Sequence, residues 1–393
     1  MVDYSPLMPE VLENPYPIYK RLRDEAPAYY CEEFDCWALS RFDDIWEQSG
    51  DSESYSAALR GTTPCHLITK QQTVFPSVNM MDPPEHVQNR ALISGAFKPR
   101  RVAALAPIVE QIVLRHAKNL ESGRRVDLVR DYIAKIAMES ACVLLGLPIE
   151  DADHVYSYVV RYFDRAPGKP GLTEDGLRAA AELNDYLGAI IRHRRQHPTA
   201  DDVLLNAYLN ARFEGKGLPD DNIASQMATL VIGSTDTMPK IFAAFVLELF
   251  RAPGMRKELV NDPTLIPNAF REGLRYGMPT QFLGRTVVKP VQLHGKTFEP
   301  GQAVIFLFPS ANRDEREFPD PDRFDIHRES KRILTFGHGN HSCLGIHIAA
   351  LEGELATRHL LARMPEFAIL EPEIERLKSE FVAGIVGLPA IAG

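Results

Sequence analysis

The chain lacks most of what would mark a secreted, membrane-spanning or nucleic-acid-binding protein. Its five cysteines, at positions 31, 36, 65, 142 and 343, are an odd number without framework spacing, which excludes a disulfide scaffold and fits a reducing compartment. Cys31 and Cys36 have no nearby histidines to complete a zinc site and read as structural. Residues 1–10 carry acid and prolines but no apolar run, so no signal peptide or membrane span is predicted and a cytoplasmic protein is expected. Positive charge is in deficit, 44 Lys and Arg against 53 Asp and Glu for a net charge of −9, which argues against a nucleic-acid partner. There is no dinucleotide-binding glycine fingerprint and no four-cysteine spacing for an iron–sulfur cluster. Low-complexity tracts and repeats are also missing.

What is present is an ordinary globular composition. With 393 residues, 45% apolar and 25% charged, the chain can bury a sizeable core as two domains or as one large integrated fold. The stretch that organises the rest is Leu334-Thr335-Phe336-Gly337-His338-Gly339-Asn340-His341-Ser342-Cys343-Leu344-Gly345. Gly337 and Gly339 can take positive φ and fold the backbone tightly. They deliver Cys343 to the start of a helix predicted over 344–361, with Ile348, Ala349, Leu351, Leu355 and Leu360 on its apolar face. A helix start favours an anion, so Cys343 is placed as a thiolate, a soft metal ligand suited to haem iron. A buried structural cysteine in a strand-to-helix turn is the competing reading.

Apolar residues from Ile223 to Leu249 predict one long buried helix over 222–251. Its middle, Gly233-Ser234-Thr235-Asp236-Thr237-Met238-Pro239, is costly there, roughly 3 kcal/mol for the proline alone. Pro239 frees the carbonyl of Thr235 and predicts a kink. Asp82 reads as an N-cap, with Pro83 and Pro84 opening a helix that sets His86 and Arg90 on one face. Glu272 and Arg275 share a face in the same way. Residues 28–30 and 36–39 predict a hairpin, 287–288, 291–293 and 303–307 further strands, and 381–386 a β-like end. Residues 59–78 predict a long loop, and 167–171 a break between helical runs.

Phe336, Gly339, Cys343 and Gly345, in the pattern Phe-x-x-Gly-x-x-x-Cys-x-Gly, resemble the haem-binding signature of the cytochrome P-450 superfamily. The other motifs follow that family's order over essentially the whole chain. The resemblance implies a mainly α protein with a small β-rich lobe (α+β), in which 1–393 form a single integrated domain. The lobe would comprise about 28–60, 280–310 and the C-terminal segment, with haem b between a long kinked helix and the cysteine-loop helix. Phe336, Gly337, Cys343 and Gly345 would hold the haem, Cys343 as the iron ligand. His86, Arg90, Arg285 and His341 would bind its propionates. Asp236 and Thr237 match the family's proton-handling acid–alcohol pair and Gly233 its small residue, while Ser234 replaces a glycine; a register one residue earlier would put Thr235 at the acid position. Glu272 and Arg275 match a buried structural pair, with Arg323 as third member and Arg328 as the alternative. Loop 59–78 would cover the substrate, and 167–171 would lie in a lid. The candidate pocket residues are Val231, Ile232, Gly233, Gln281, Phe282, Val382 and Ile385. Ala350 stands where the family often has arginine.

The implied activity is a monooxygenase that inserts one atom of O2 into a hydrophobic small molecule, a terpenoid, steroid or aromatic compound, by hydroxylation or epoxidation. Electrons would come from a ferredoxin or flavodoxin-type partner, docking near Lys331, Arg332 and Arg358. A monomer is expected, with neither nucleic acid nor membrane as partner. The alternatives are a peroxide-driven or non-oxidative haem enzyme on the same fold, and a non-catalytic haem carrier or sensor.

Overall fold

The 3.6-residue spacing of apolar side chains through the middle of the chain is realised as helices, which dominate the computed structural model. It describes residues 2–70, 76–166, 168–200 and 203–393. Residues 71–75 of the predicted loop and Pro167 of the predicted break lie outside them. The principal helices are Glu85–Ser94, Pro99–Ala117, Ala134–Leu145, Ala152–Phe163, Glu174–Gln196, Asp220–Thr235, Thr237–Arg251, Ile266–Tyr276 and Ile346–Arg363. One core cluster runs from Ala28 to Ala392 and takes buried side chains from all of them. Asp220–Arg251 is long and apolar enough to cross a membrane, and 67% of its most apolar window is buried inside the protein, as expected of a core helix.

The β-rich lobe is a five-stranded sheet in the order Ala28–Cys31, Cys36–Leu39, Ala303–Phe306, Leu283–Val287, Tyr55–Ser56. The hairpin pairs Ala28 with Leu39, and Ala303–Phe306 runs parallel to Cys36–Leu39. Both of those parallel strands are buried along their full length, which is why they read as continuous apolar runs and not as alternating ones. The C-terminal segment does not join this sheet. Gly384–Gly387 pairs with Glu375–Leu377, and Pro389–Ala392 lies between Phe367–Ile369 and Arg125–Asp127. Leu283–Val287 already has a neighbour on each edge. A single bridge, Thr280 to Val382, ties the C-terminal segment to the approach of that strand.

Candidate active site

The cysteine loop is as tight as its glycines allow. Gly337 and Gly339 have φ of 65° and 74°, and a Cβ on Gly339 would lie 2.9 Å from Cα of Gly50, so only glycine fits there. The Cys343 N–H donates to the Phe336 carbonyl at 2.8 Å, which closes the turn and leaves Sγ facing a large cavity. The helix starts at Ile346, later than predicted, with Gly345 as N-cap. Cys343 therefore sits beyond the first turn and receives one backbone donor, the Gly345 N–H at 3.3 Å. Burial pushes its thiol up, and Gly345 and Arg90 only partly offset this. One backbone donor is thus what the helix start contributes, and a metal ion bound at Cys343 would favour its thiolate form.

At the cavity edge four nitrogen-bearing side chains converge. The His86 and His341 rings lie 4.1 Å apart. Arg90 donates to the Ser342 carbonyl at 2.5 Å, and Arg285 to the Gly284 carbonyl at 2.7 Å. Arg90, Arg285 and His341 line the cavity, and His86 stands behind them with both ring nitrogens buried and unpartnered among the described residues. Burial and the neighbouring cations push His341 down to about 2, and burial lowers Arg285 to about 10. The Asp82 carboxylate, hydrogen-bonded to Ser56 and Ala57, offsets His86 and Arg285 only in part; such a cluster is costly unless a further anion completes it, and the paired propionates of a haem would supply one. Asp82 is not the expected cap: its carboxylate accepts from Ser56 Oγ and the Ala57 N–H, and the helix is opened by Pro84 at the N-cap position.

The predicted long helix is broken at Asp236 into Asp220–Thr235 and Thr237–Arg251, as the missing N–H of Pro239 requires. Thr237 Oγ1 donates to the Gly233 carbonyl at 3.5 Å, and a Cβ on Gly233 would meet nothing within 4 Å. Gly233, Ser234 and Thr237 line the cavity. Asp236 does not; it points to the opposite side, where Lys240 Nζ donates to its carboxylate. Burial pushes the Asp236 carboxyl up, against the pull of Lys240 and Arg165, and Oδ2 has no partner among the described residues. The acid and the alcohol are thus separated by the turn of the helix.

The cavity holds about 760 Å³, within the usual range for a small-molecule site. Of the predicted pocket residues, Ile232, Gly233 and Val382 line it, and four do not. Val231 is fully buried on the other face of its helix. Phe282 packs into a separate core with Leu67 and Ile305. Ile385 is held in a strand opposite Arg376, and Gln281 turns back to the Pro279 carbonyl at 3.0 Å. Their places are taken by Phe163, Leu183, Met278, Thr280, Leu283 and Phe381. These come from segments so far apart in sequence that no local pattern marks them.

Beneath the loop, Arg275 donates twice to Glu272 at 2.7 Å with both side chains wholly buried. The third member is Arg328, whose Nε donates to Glu272 Oε1 at 3.1 Å. The Arg323 side chain is 65% exposed and only its carbonyl joins the network, so the assignment to Arg323 is corrected. Arg332 is held by Glu317 and Asp43, which leaves Lys331 and Arg358 as the exposed cations of that trio.

A family model, "Cytochrome P450", matches residues 77–367. "Putative cytochrome P450 123" of Mycobacterium tuberculosis is 32% identical over 378 residues, 96% of this chain and 94% of that protein. "Vitamin D(3) 25-hydroxylase" of Pseudonocardia autotrophica is 33% identical over 388 residues, 97% and 94% of the two chains. Among solved structures, CYP109E1 from Bacillus megaterium in complex with testosterone superposes with a TM-score of 0.87 at 28% identity, covering 98% of this chain and 99% of that one. A mutant of P450 EryK in complex with erythromycin B gives 0.88 at 27%, covering 97% and 96%. The fold and its site are those of an oxygenase built around a buried tetrapyrrole. The chain belongs to the cytochrome P450 family, whose members are monooxygenases carrying haem iron on an axial cysteine thiolate.

Proposed function

We propose that Cys343 is the iron ligand of a haem b held by Phe336, Gly337 and Gly345 and by the four donors His86, Arg90, Arg285 and His341. The enzyme hydroxylates or epoxidises a hydrophobic small molecule. The observation that carries this reading is the His86–Arg90–Arg285–His341 cluster, to which no carboxylate is hydrogen-bonded among the described residues, at the edge of the cavity that Cys343 also faces. The haem, when bound, supplies the activation of dioxygen. Thr237 holds a hydroxyl proton at the cavity wall, with the Gly233 carbonyl fixing its direction. Asp236, paired with Lys240 outside the cavity, acts as a proton reservoir that reaches Thr237 across the broken turn. The wall from Phe163 to Phe381 excludes water. One continuous core from Ala28 to Ala392 supports a single integrated domain.

The apolar wall, together with relatives named for vitamin D hydroxylation or solved with testosterone, supports a terpenoid, steroid or aromatic substrate. Electrons come from a separate ferredoxin or flavodoxin-type donor, for which exposed Lys331 and Arg358 are contacts, in a cytoplasmic monomer. Because Asp236 is turned away from the cavity, a peroxide-driven enzyme is the second reading; turnover with peroxide alone, and none with ferredoxin and a reduced nicotinamide, would favour it. The primary test is Cys343→His. The reduced CO complex is expected to lose its thiolate-type Soret band, and retention of that band would remove Cys343 as the ligand.

A further inference from the structure

Two of the five cysteines lie directly across a hairpin from each other, far from Cys343 in the chain. Cys31 ends the strand Ala28–Cys31, Cys36 begins the strand Cys36–Leu39, and the antiparallel register makes them partners. Residues facing each other in such a pair have Cα atoms about 4.5–5.5 Å apart, inside the span of about 4.4–6.8 Å that a disulfide bridges. Their side chains also leave the sheet on one face. Cys31 and Cys36 both belong to the smaller core with Tyr4 and Ala38, whereas the neighbouring pair Tyr30 and Trp37, rings 4.9 Å apart, packs on the main core. Both cysteines are free thiols.

The pair is asymmetric. The Cys36 thiol lowers Cys31 below the ordinary thiol range, against the effect of burial, and Cys36 is itself pushed well up. Cys31 is therefore the sulfur that ionises first. Burial instead pushes Cys142 up to about 12. Placement favours the same order. Ala28–Cys31 is the outer strand of the five-stranded sheet, and Cys31 is followed at once by exposed Glu32 and Glu33 in the connecting turn. A local opening of that turn uncovers Cys31, while Cys36 stays held on the inner side by its pairing with Ala303.

We infer that Cys31 and Cys36 are a redox-active dithiol that reduces a hydroperoxide and closes a reversible disulfide across the hairpin. With hydrogen peroxide, the Cys31 thiolate attacks one oxygen, the O–O bond breaks, and a sulfenic acid forms with release of hydroxide. The Cys36 thiol then attacks that sulfur; the S–S bond forms, and the hydroxyl leaves with the Cys36 proton as water. Two thiols have lost two electrons, and the peroxide has taken them up with two protons to give two waters. In a reducing compartment such a bond is transient.

The haem-loaded enzyme is treated with hydrogen peroxide, quenched, alkylated in denaturant and digested with trypsin, which leaves both cysteines in the one peptide 24–41. That peptide is expected to be lighter by two hydrogens and unalkylated, to accept two alkyl groups after dithiothreitol, and to react roughly tenfold or more faster than Cys142. Cys36→Ser is expected to stop at a sulfenic acid on Cys31 that dimedone traps, and Cys31→Ser to leave Cys36 open to alkylation. The wild-type peptide decides the pairing without the variants. Both cysteines still alkylated once Cys142 has been oxidised would overturn the inference, as would a peptide that gains oxygen without losing the two hydrogens. A dimedone adduct on Cys36 in Cys31→Ser, with none on Cys31 in Cys36→Ser, would overturn the order of attack.

Discussion

Two buried ion pairs lie along helices of this protein, and they are built to opposite specifications. Glu272 and Arg275, three residues apart, are completed on every side. Glu272 also accepts from Arg328 and from the Asp325 N–H, and Arg275 also donates to the carbonyls of Asn312 and Pro321. Asp236 and Lys240, four residues apart, sit where a helix is broken, with one carboxylate oxygen unpartnered among the described residues. A buried pair whose lone pairs and protons are all used is a structural rivet; one left short retains a group that can change protonation. Sequence spacing is nearly the same in both cases. The surroundings make the difference.

The largest effect should come from breaking the complete pair. Arg275→Ala leaves the buried Glu272 carboxylate with only Arg328 and the Asp325 N–H and is expected to cost about 3–5 kcal/mol in chemical denaturation. Arg328→Ala removes the charged hydrogen bond to Glu272 together with those to the carbonyls of Pro319, Asp320 and Arg323 and should cost about 1.5–3 kcal/mol. Arg323→Ala, on the surface, should stay within about 0.5 kcal/mol. If Arg323→Ala cost as much as Arg328→Ala, the corrected third partner would be wrong.

Next in size is the contrast between the two faces of the helix that ends at the break. Val231→Ala empties part of the core and should lower stability by about 1–3 kcal/mol while leaving ligand dissociation constants unchanged. Ile232→Ala should do the reverse, weakening binding of hydrophobic ligands in a Soret-shift titration with little loss of stability. Equal effects of the two on binding would contradict the placement of Val231 away from the cavity.

The smallest effect sharpens the incomplete pair. Burial holds the Asp236 carboxyl above its unfolded value, so its contribution to stability is fully present below the unfolded pKa and is lost as pH rises through the folded one. Asp236→Asn should therefore remove the fall in stability that occurs as pH rises from the unfolded to the folded pKa of that carboxyl. A parallel profile in the two proteins would show that Asp236 is as fully compensated as Glu272. Turnover separates the two pairs further: with folding intact, Asp236→Asn and Thr237→Ala should each lower product formed per electron delivered, without a change in ligand affinity.

Local chemistry made some of this site legible in advance. Positive φ at Gly337 and Gly339, the kink enforced by Pro239, and the shared helix face of Glu272 and Arg275 depend only on residues within a turn or two of each other. What failed was whatever depended on a partner far along the chain. Arg323 and Arg328 lie five residues apart in an irregular stretch, and nothing local says which of them turns inward. Phe282 and Ile385 read as pocket residues because they are apolar and near the right strands, but apolar side chains are just as well used in a core.

The amino-acid sequence by itself therefore determined the cysteine loop, the break in the long helix, the hairpin and the membership of the family, since each follows from backbone sterics or from spacing along one element. Tertiary structure decided which way the groups at those places point: Asp236 away from the cavity, Thr237 into it, Arg328 onto Glu272, and the C-terminal strands away from the main sheet. The reason is physical. Which face of a helix is dry, which strand edge is free and which carboxylate already has its donors are properties of packing, and packing is set by residues that are neighbours only in space.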